Sequence, residues 1–179
     1  KYPFLRLDNV NRPYADELKA ACAQVIDSGR YIGGQETAKF EAALAEYCGT
    51  AHAVGTGNGL DALRLIFQAY IELGQLNPGD EVIVPSNTYI ASILAVSQCG
   101  LKPVFVEPDP STHCLDNKNT EKAITKSTKA ILTVHLYGRI AKSSELTEIA
   151  NRHGLILVED CAQAIGADEN NIKAGAIGH

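Results

Sequence analysis

From about residue 50 onward the chain alternates between two hydrophobic rhythms. Short apolar runs of strand length are followed by longer stretches in which apolar residues return every three or four positions. The first rhythm predicts buried strands and the second predicts amphipathic helices. Their alternation predicts βαβ units and a mostly parallel sheet flanked by helices. Strands are expected at 52–54, 81–84, 103–107, 130–135 and 155–158, and helices at 60–73, 89–99, around 120–124 and at 143–153. Asn77-Pro78-Gly79-Asp80 marks a turn, and Asn87-Thr88 is a candidate cap for the helix at 89–99.

Before residue 50 the pattern is helical. Pro13 occupies a first helical position, Leu18, Cys22, Val25 and Ile26 share one apolar face, and Gly29 ends the helix. A second helix is expected over 36–47, ended by Cys48-Gly49. Residues 1–40 read as an arm and helix leading into one larger domain that begins near residue 41. There is no internal repeat, low-complexity tract or obvious linker.

Composition narrows the function class. The chain has 179 residues, 45% hydrophobic and 21% charged, as in ordinary soluble globular domains. A formal net charge of −5 without any basic block argues against non-specific nucleic-acid binding. Five cysteines, Cys22, Cys48, Cys99, Cys114 and Cys161, form no CxxC pair that would suggest zinc or redox chemistry. Cys22 and Cys99 fall in apolar helical patterns and read as buried thiols. No secretory signal or membrane-length apolar run is visible, which gives a cytoplasmic reading. The chain contains no methionine and stops in the glycine-bearing segment Ala174-Gly175-Ala176-Ile177-Gly178-His179, so it is expected to be a piece of a larger protein.

Four stretches carry candidate chemistry, each at the carboxyl end of a predicted strand, the edge where open α/β sheets bind ligands. Leu155-Ile156-Leu157-Val158 runs into Glu159-Asp160. An Asp there can hold a proton on a ring nitrogen, as in pyridoxal-phosphate enzymes. Asp160-x-x-Gln163 also fits a helix capping box. Gly55-Thr56-Gly57-Asn58-Gly59 joins a strand to a helix and offers free N–H groups to a phosphate monoester, or is a tight turn with no ligand. It lacks the spacing of a dinucleotide fingerprint or a P-loop. Asp61 follows in the first helical turn and is expected to point away from any phosphate. Pro85-Ser86-Asn87-Thr88-Tyr89 offers an aromatic ring that either stacks on a flat ligand or packs the helix onto the sheet. His135-Leu136-Tyr137-Gly138 offers a histidine that is an acid, a base, a ligand or a structural hydrogen-bonder.

Together these residues resemble the first half of a fold-type I pyridoxal-phosphate sugar aminotransferase of the DegT/StrS type. The resemblance runs over essentially the whole chain. It rests on Gly29-Arg30-Tyr31-Ile32-Gly33-Gly34, Phe40-Glu41, Tyr47-Cys48-Gly49, Gly57-Asn58-Gly59-Leu60-Asp61-Ala62-Leu63 and Gly79-Asp80-Glu81-Val82-Ile83-Val84-Pro85. Val134-His135-Leu136-Tyr137-Gly138 and Glu159-Asp160-Cys161-Ala162-Gln163-Ala164 complete the set. It implies that residues 41–179 are the N-terminal portion of the α/β large domain that binds pyridoxal 5′-phosphate. Asp160 would pair with the pyridine nitrogen, Gln163 would reach the phenolic oxygen, and Tyr89 would cover one ring face. Asn58, Gly59 and Leu60 would take the 5′-phosphate, and Tyr31, Gly33, Gly34 and His135 would line the sugar pocket.

The activity implied is transfer of an amino group from glutamate to a nucleotide-linked keto sugar. Tyr70-Ile71-Glu72-Leu73-Gly74 and the segment from Asn87 to Ala95 look most like members that aminate C3 of a dTDP-3-keto-6-deoxyhexose. The resemblance also implies a cytoplasmic homodimer with shared sites, in deoxyamino-sugar biosynthesis of the O-antigen kind, with no metal. Alternatives on the same fold are a sugar dehydratase, in which histidine replaces the cofactor lysine, and a non-catalytic ligand-binding relative. The family's lysine lies in a Phe-Ser-Phe-x-x-x-Lys run that would begin just beyond His179, where many relatives have Asp in place of His179. None of the ten lysines present matches it, Lys173 being the nearest in position.

Overall fold

In the computed structural model, which describes residues 2–140 and 143–179, the chain divides into two units, Lys1–Leu44 and Ala45–His179. The first unit is helical. Helix α1, Leu7–Asn11, leads through a 3-10 turn at Arg12–Tyr14 into α2, Ala15–Ser28. Pro13 therefore sits in the turn before α2 and not at its first position, where its fixed φ suits the tighter winding. Asp16 and Glu17 complement the helix dipole, and Gly29, at φ 65°, closes α2 in the left-handed cap conformation. Helix α3, Gln35–Cys48, follows. The apolar face of α2 is formed as expected but no residue of α2 is buried, and Cys22 is exposed where a buried thiol was expected. An amphipathic stripe shows what a helix can bury, not that the chain supplies a partner to cover it.

The second unit is built on a four-stranded sheet. Strands β1 (Glu81–Pro85), β2 (Lys102–Val106), β3 (Thr128–Val134) and β4 (Ile156–Asp160) lie in the order β2-β1-β3-β4. Every pairing is parallel, as the strand–helix alternation predicts. Helices α4 (Gly59–Glu72), α5 (Ile90–Gln98), α6 (Asn117–Ala123) and α7 (Ser143–His153) connect or flank the strands. A short hairpin, β5 (Asp168–Glu169) and β6 (Ile172–Lys173), follows β4. Its two turn residues, Asn170 and Asn171, have φ of 55° and 65°, as a tight hairpin turn requires.

Two apolar clusters sit on the two faces of the sheet. On one face α4 and α5 supply Leu63, Phe67, Ala95 and Val96 against Val82, Val84, Leu132 and Val158. On the other, α7 supplies Leu146, Ile149 and Ala150 against Ile83, Ile131 and Leu157. Full burial of a side chain such as Phe67 stabilises the fold by about 1.5–3 kcal/mol. The connection after β1 runs outward to β2 through α5, and the connection after β3 runs the other way to β4 through α7. The carboxyl ends of β1 and β3 thus flank a topological switch point, where α/β sheets open a crevice.

Two local expectations are not met. Residues 52–54 form no strand, because no neighbouring strand among the described residues pairs with them, and Val54 is exposed. Neither Asn87 nor Thr88 caps α5. Its N-cap is Tyr89, with no side-chain hydrogen bond, while Asn87 Nδ2 donates to the His113 carbonyl.

Candidate active site

A cavity of about 430 Å³ opens at the carboxyl end of the sheet in the second unit. It is lined by Asn58, Gly59 and Leu60 from the start of α4, by Tyr89 before α5, by His135 after β3, and by Asp160 and Gln163 at and after the end of β4. Its volume lies in the roughly 300–1,000 Å³ range of small-molecule sites. The sequence places these residues far apart, and the parallel topology brings them to one edge.

The start of α4 is prepared for an anion. Asn58 is the N-cap, its Oδ1 accepting from the Asp61 N–H at 2.9 Å while its Nδ2 donates to Asp61 Oδ2 at 2.9 Å. Gly59 and Leu60, as the first two helical residues, have N–H groups with no acceptor inside the helix. Asp61 is drawn to Asn58 and to Arg64, 3.1 Å away, and does not line the cavity. Its carboxylate therefore suits the helix dipole without facing a bound anion.

Asp160 is held from two sides. Ser92 Oγ donates to its Oδ2 at 2.8 Å, and the Ala162 N–H donates to its Oδ1 at 3.1 Å. Because Ser92 spends its one hydrogen on Asp160, Thr88 must donate in the 3.0 Å contact between their hydroxyls. The result is a relay from Thr88 through the fully buried Ser92 to a carboxylate that still offers lone pairs to the cavity. The capping-box alternative is not realised. Residues 162–166 form turns and no helix, and Gln163 Oε1 accepts from the Tyr137 N–H at 2.7 Å.

Tyr89 is 75% exposed, so its ring is free to face a ligand and does not pack α5 onto the sheet. His135 borders the cavity, but its side chain is 1% exposed and its ring meets Glu159, Nε2 to Oε2 at 2.8 Å. Glu159 can only accept, so Nε2 carries the hydrogen. Such an enclosed ring has no surface to offer a sugar; the geometry is that of a structural hydrogen-bonder. Tyr31 and Gly34 line a cavity of about 420 Å³ within the first unit, where Gly33 has φ of 60°.

Sequence reasoning missed Ser92 and the role of Glu159. The signal for Ser92 is a lone hydroxyl inside the apolar helix Ile90–Gln98, on the turn that faces the sheet. Glu159 is 5% exposed and accepts from the N–H groups of Gly175 (3.0 Å), Ile177 (2.8 Å) and Gly178 (2.7 Å) besides His135. Burial pushes its carboxyl up, but His135 and the three backbone donors outweigh burial and hold it below the usual carboxylate range. A Cβ at Gly178 would lie 2.7 Å from the Leu157 carbonyl oxygen, so glycine is what lets this segment approach. Cys161 lies beside the pair, and burial, then the charges of Glu159 and Asp160, push its thiol far up. The Nε2, carboxylate and Sγ atoms lie within 4.8 Å of one another. The carboxylate is taken up by four N–H groups, with the Cys161 thiol 3.9 Å away, so the three residues form one hydrogen-bonded cluster.

Residues 14–179 match the DegT/DnrJ/EryC1/StrS aminotransferase family. The chain belongs to that family. It is 48% identical to a dTDP-3-amino-3,6-dideoxy-alpha-D-galactopyranose transaminase of Aneurinibacillus thermoaerophilus, over 98% of this chain and 47% of that protein. The crystal structure of DesV from S. venezuelae superposes with a TM-score of 0.90 at 53% identity, covering 97% of this chain and 46% of that one. The Bacillus subtilis protein ntda, solved with bound cofactor PMP, gives a TM-score of 0.86 at 35% identity, over 97% of this chain and 39% of that one. The chain spans about half the length of the curated relatives it matches.

Proposed function

We propose that the intact protein is a pyridoxal-phosphate aminotransferase that converts a dTDP-3-keto-6-deoxyhexose to the 3-amino sugar with glutamate as donor. The observation that carries this reading is the convergence, in one cavity, of a fixed carboxylate, the N-terminal turn of a helix and an exposed aromatic ring. These are the donor and acceptor types that the phosphorylated pyridine needs. Asp160, oriented by Ser92 and Ala162, would hold a proton on the ring nitrogen. The N–H groups of Gly59 and Leu60 would bind the 5′-phosphate, with Asn58 fixing the helix start. Tyr89 would cover one face of the ring and Gln163 would meet the phenolic oxygen. When bound, the cofactor supplies the electron sink that lets a proton move between its own carbon and that of the substrate.

His135 is proposed to brace the site from behind through Glu159, with Tyr31, Gly33 and Gly34 contributing to the sugar pocket. Residues 41–179 are proposed as the N-terminal portion of the cofactor-binding domain, with residues 1–40 as an arm. A cytoplasmic homodimer acting in deoxyamino-sugar biosynthesis of the O-antigen kind completes the proposal. The C3 assignment is supported by the identity of the Aneurinibacillus relative, whose name is that of a 3-amino-sugar transaminase. Incubation of the intact protein with glutamate, pyridoxal phosphate and a dTDP-3-keto-6-deoxyhexose should yield the 3-amino sugar and 2-oxoglutarate. Turnover of a 4-keto sugar alone would overturn the C3 assignment. A full-activity monomer by sedimentation would overturn the dimer.

A further inference from the structure

Tyr137 lies in the left-handed region, φ 58° and ψ 22°, inside the short turn Leu136–Gly138. That conformation is uncommon for a bulky residue and persists where the surroundings fix it. Two contacts hold it here. The Tyr137 N–H donates to Gln163 Oε1 at 2.7 Å. The Tyr137 ring meets the His113 ring edge to face, with centroids 6.1 Å apart at 88°. His113 is itself left-handed, at φ 60°, and its carbonyl accepts from Asn87 Nδ2 at 3.0 Å. The next residue, Gly138, has φ of 79°, and a Cβ there would lie 3.2 Å from the Gln163 carbonyl oxygen. The turn and the backbone at Gln163 are thus fitted to each other.

The hydrogen bond settles which way the Gln163 amide points. A backbone N–H can only donate, so the atom facing it is the oxygen, and the remaining end of the amide is the NH₂ group. Gln163 lines the cavity, and no acceptor among the described residues takes that NH₂. We infer that the Tyr137 turn is a positioning device that commits Gln163 to donating into the cavity, so that this point selects an ionised oxygen over a protonated one. The inference rests on the reading above for the identity of that oxygen, the phenolic oxygen of the pyridine ring, whose ionised form the donor favours.

Glutamate at 163 separates the two halves of the idea, because it still accepts from the Tyr137 N–H but offers the cavity an acceptor in place of a donor. In the intact protein before cofactor is added, exchange of the Tyr137 amide proton, followed by NMR, should be at least about tenfold slower in the wild type and in Gln163→Glu than in Gln163→Ala. A wild-type amide that exchanges as fast as that of Gln163→Ala overturns the inference. With pyridoxal phosphate added, the pH midpoint of the bound cofactor's absorbance change should rise by about one unit or more in Gln163→Glu, a tenfold change in the ionisation constant. An unchanged midpoint overturns the commitment of Gln163 to donation. If the wild type takes up no pyridoxal phosphate, the cofactor reading falls, and the exchange experiment still decides the turn.

Discussion

Replacing Glu159 should cost more stability than replacing any other charged residue described here. Its carboxylate takes four N–H donors, from His135, Gly175, Ile177 and Gly178, all within 3.0 Å, in a side chain that is 5% exposed. Glu159→Ala strands all four. An unsatisfied buried donor costs about 1–3 kcal/mol, with bonds to a charged acceptor at about 1.5–3 kcal/mol each. Gly175 is exposed and recovers a water partner, so the expected loss is about 3–5 kcal/mol and not the full sum of four. Glu159→Gln keeps one acceptor oxygen but turns an NH₂ toward donors, and should lose about 2–3 kcal/mol. Urea unfolding of the intact protein, at fixed protein and cofactor concentration, measures both. A loss below about 1 kcal/mol for Glu159→Ala would refute the four-donor account. The pH dependence has a definite sign. The folded-state pKa is depressed, so this stabilisation is fully present above the unfolded value of about 4.3 and is lost as pH falls through the folded value. Wild-type stability should therefore fall below about pH 4.3, and Glu159→Gln should lack this component of the fall.

Asp160→Asn should leave the fold intact, since the amide oxygen can still accept from Ser92 or Ala162, yet lower transamination at least about a hundredfold; near wild-type turnover would remove Asp160 from its role. The cysteines should separate by reactivity: iodoacetamide at pH 8 should label the exposed Cys22 well before Cys99, Cys114 and Cys161, whose thiols burial pushes up. Peptide mapping that finds Cys161 labelled first would contradict the burial of the Glu159 cluster.

The parallel sheet was legible because its strands are buried on both faces and leave continuous apolar runs, as at Val82-Ile83-Val84 and Leu157-Val158. The edge that carries the cavity was legible for the same reason, since the polar residues that end such runs are the ones the parallel topology gathers there. What was not legible depended on partners distant in sequence. The strand expected at 52–54 needed a neighbour that the local pattern does not reveal. The apolar stripe of α2 reported a tendency to be buried but not what covers it. Asp160 and Gln163 have the spacing of a capping box, and only the turn at Tyr137, 26 residues away from Gln163, shows that the glutamine is spent elsewhere. Glu159 gave no local hint of its four donors, three of which come from 16 to 19 residues downstream.

The cavity that ends in Asp160 is proposed to hold pyridoxal phosphate. Titration of the intact protein with pyridoxal phosphate, followed by visible absorbance, tests it most directly. The expected result is saturable uptake with a new absorption band that bleaches when glutamate is added, and a band altered in Asp160→Asn. A protein that stays colourless at saturating pyridoxal phosphate would contradict it.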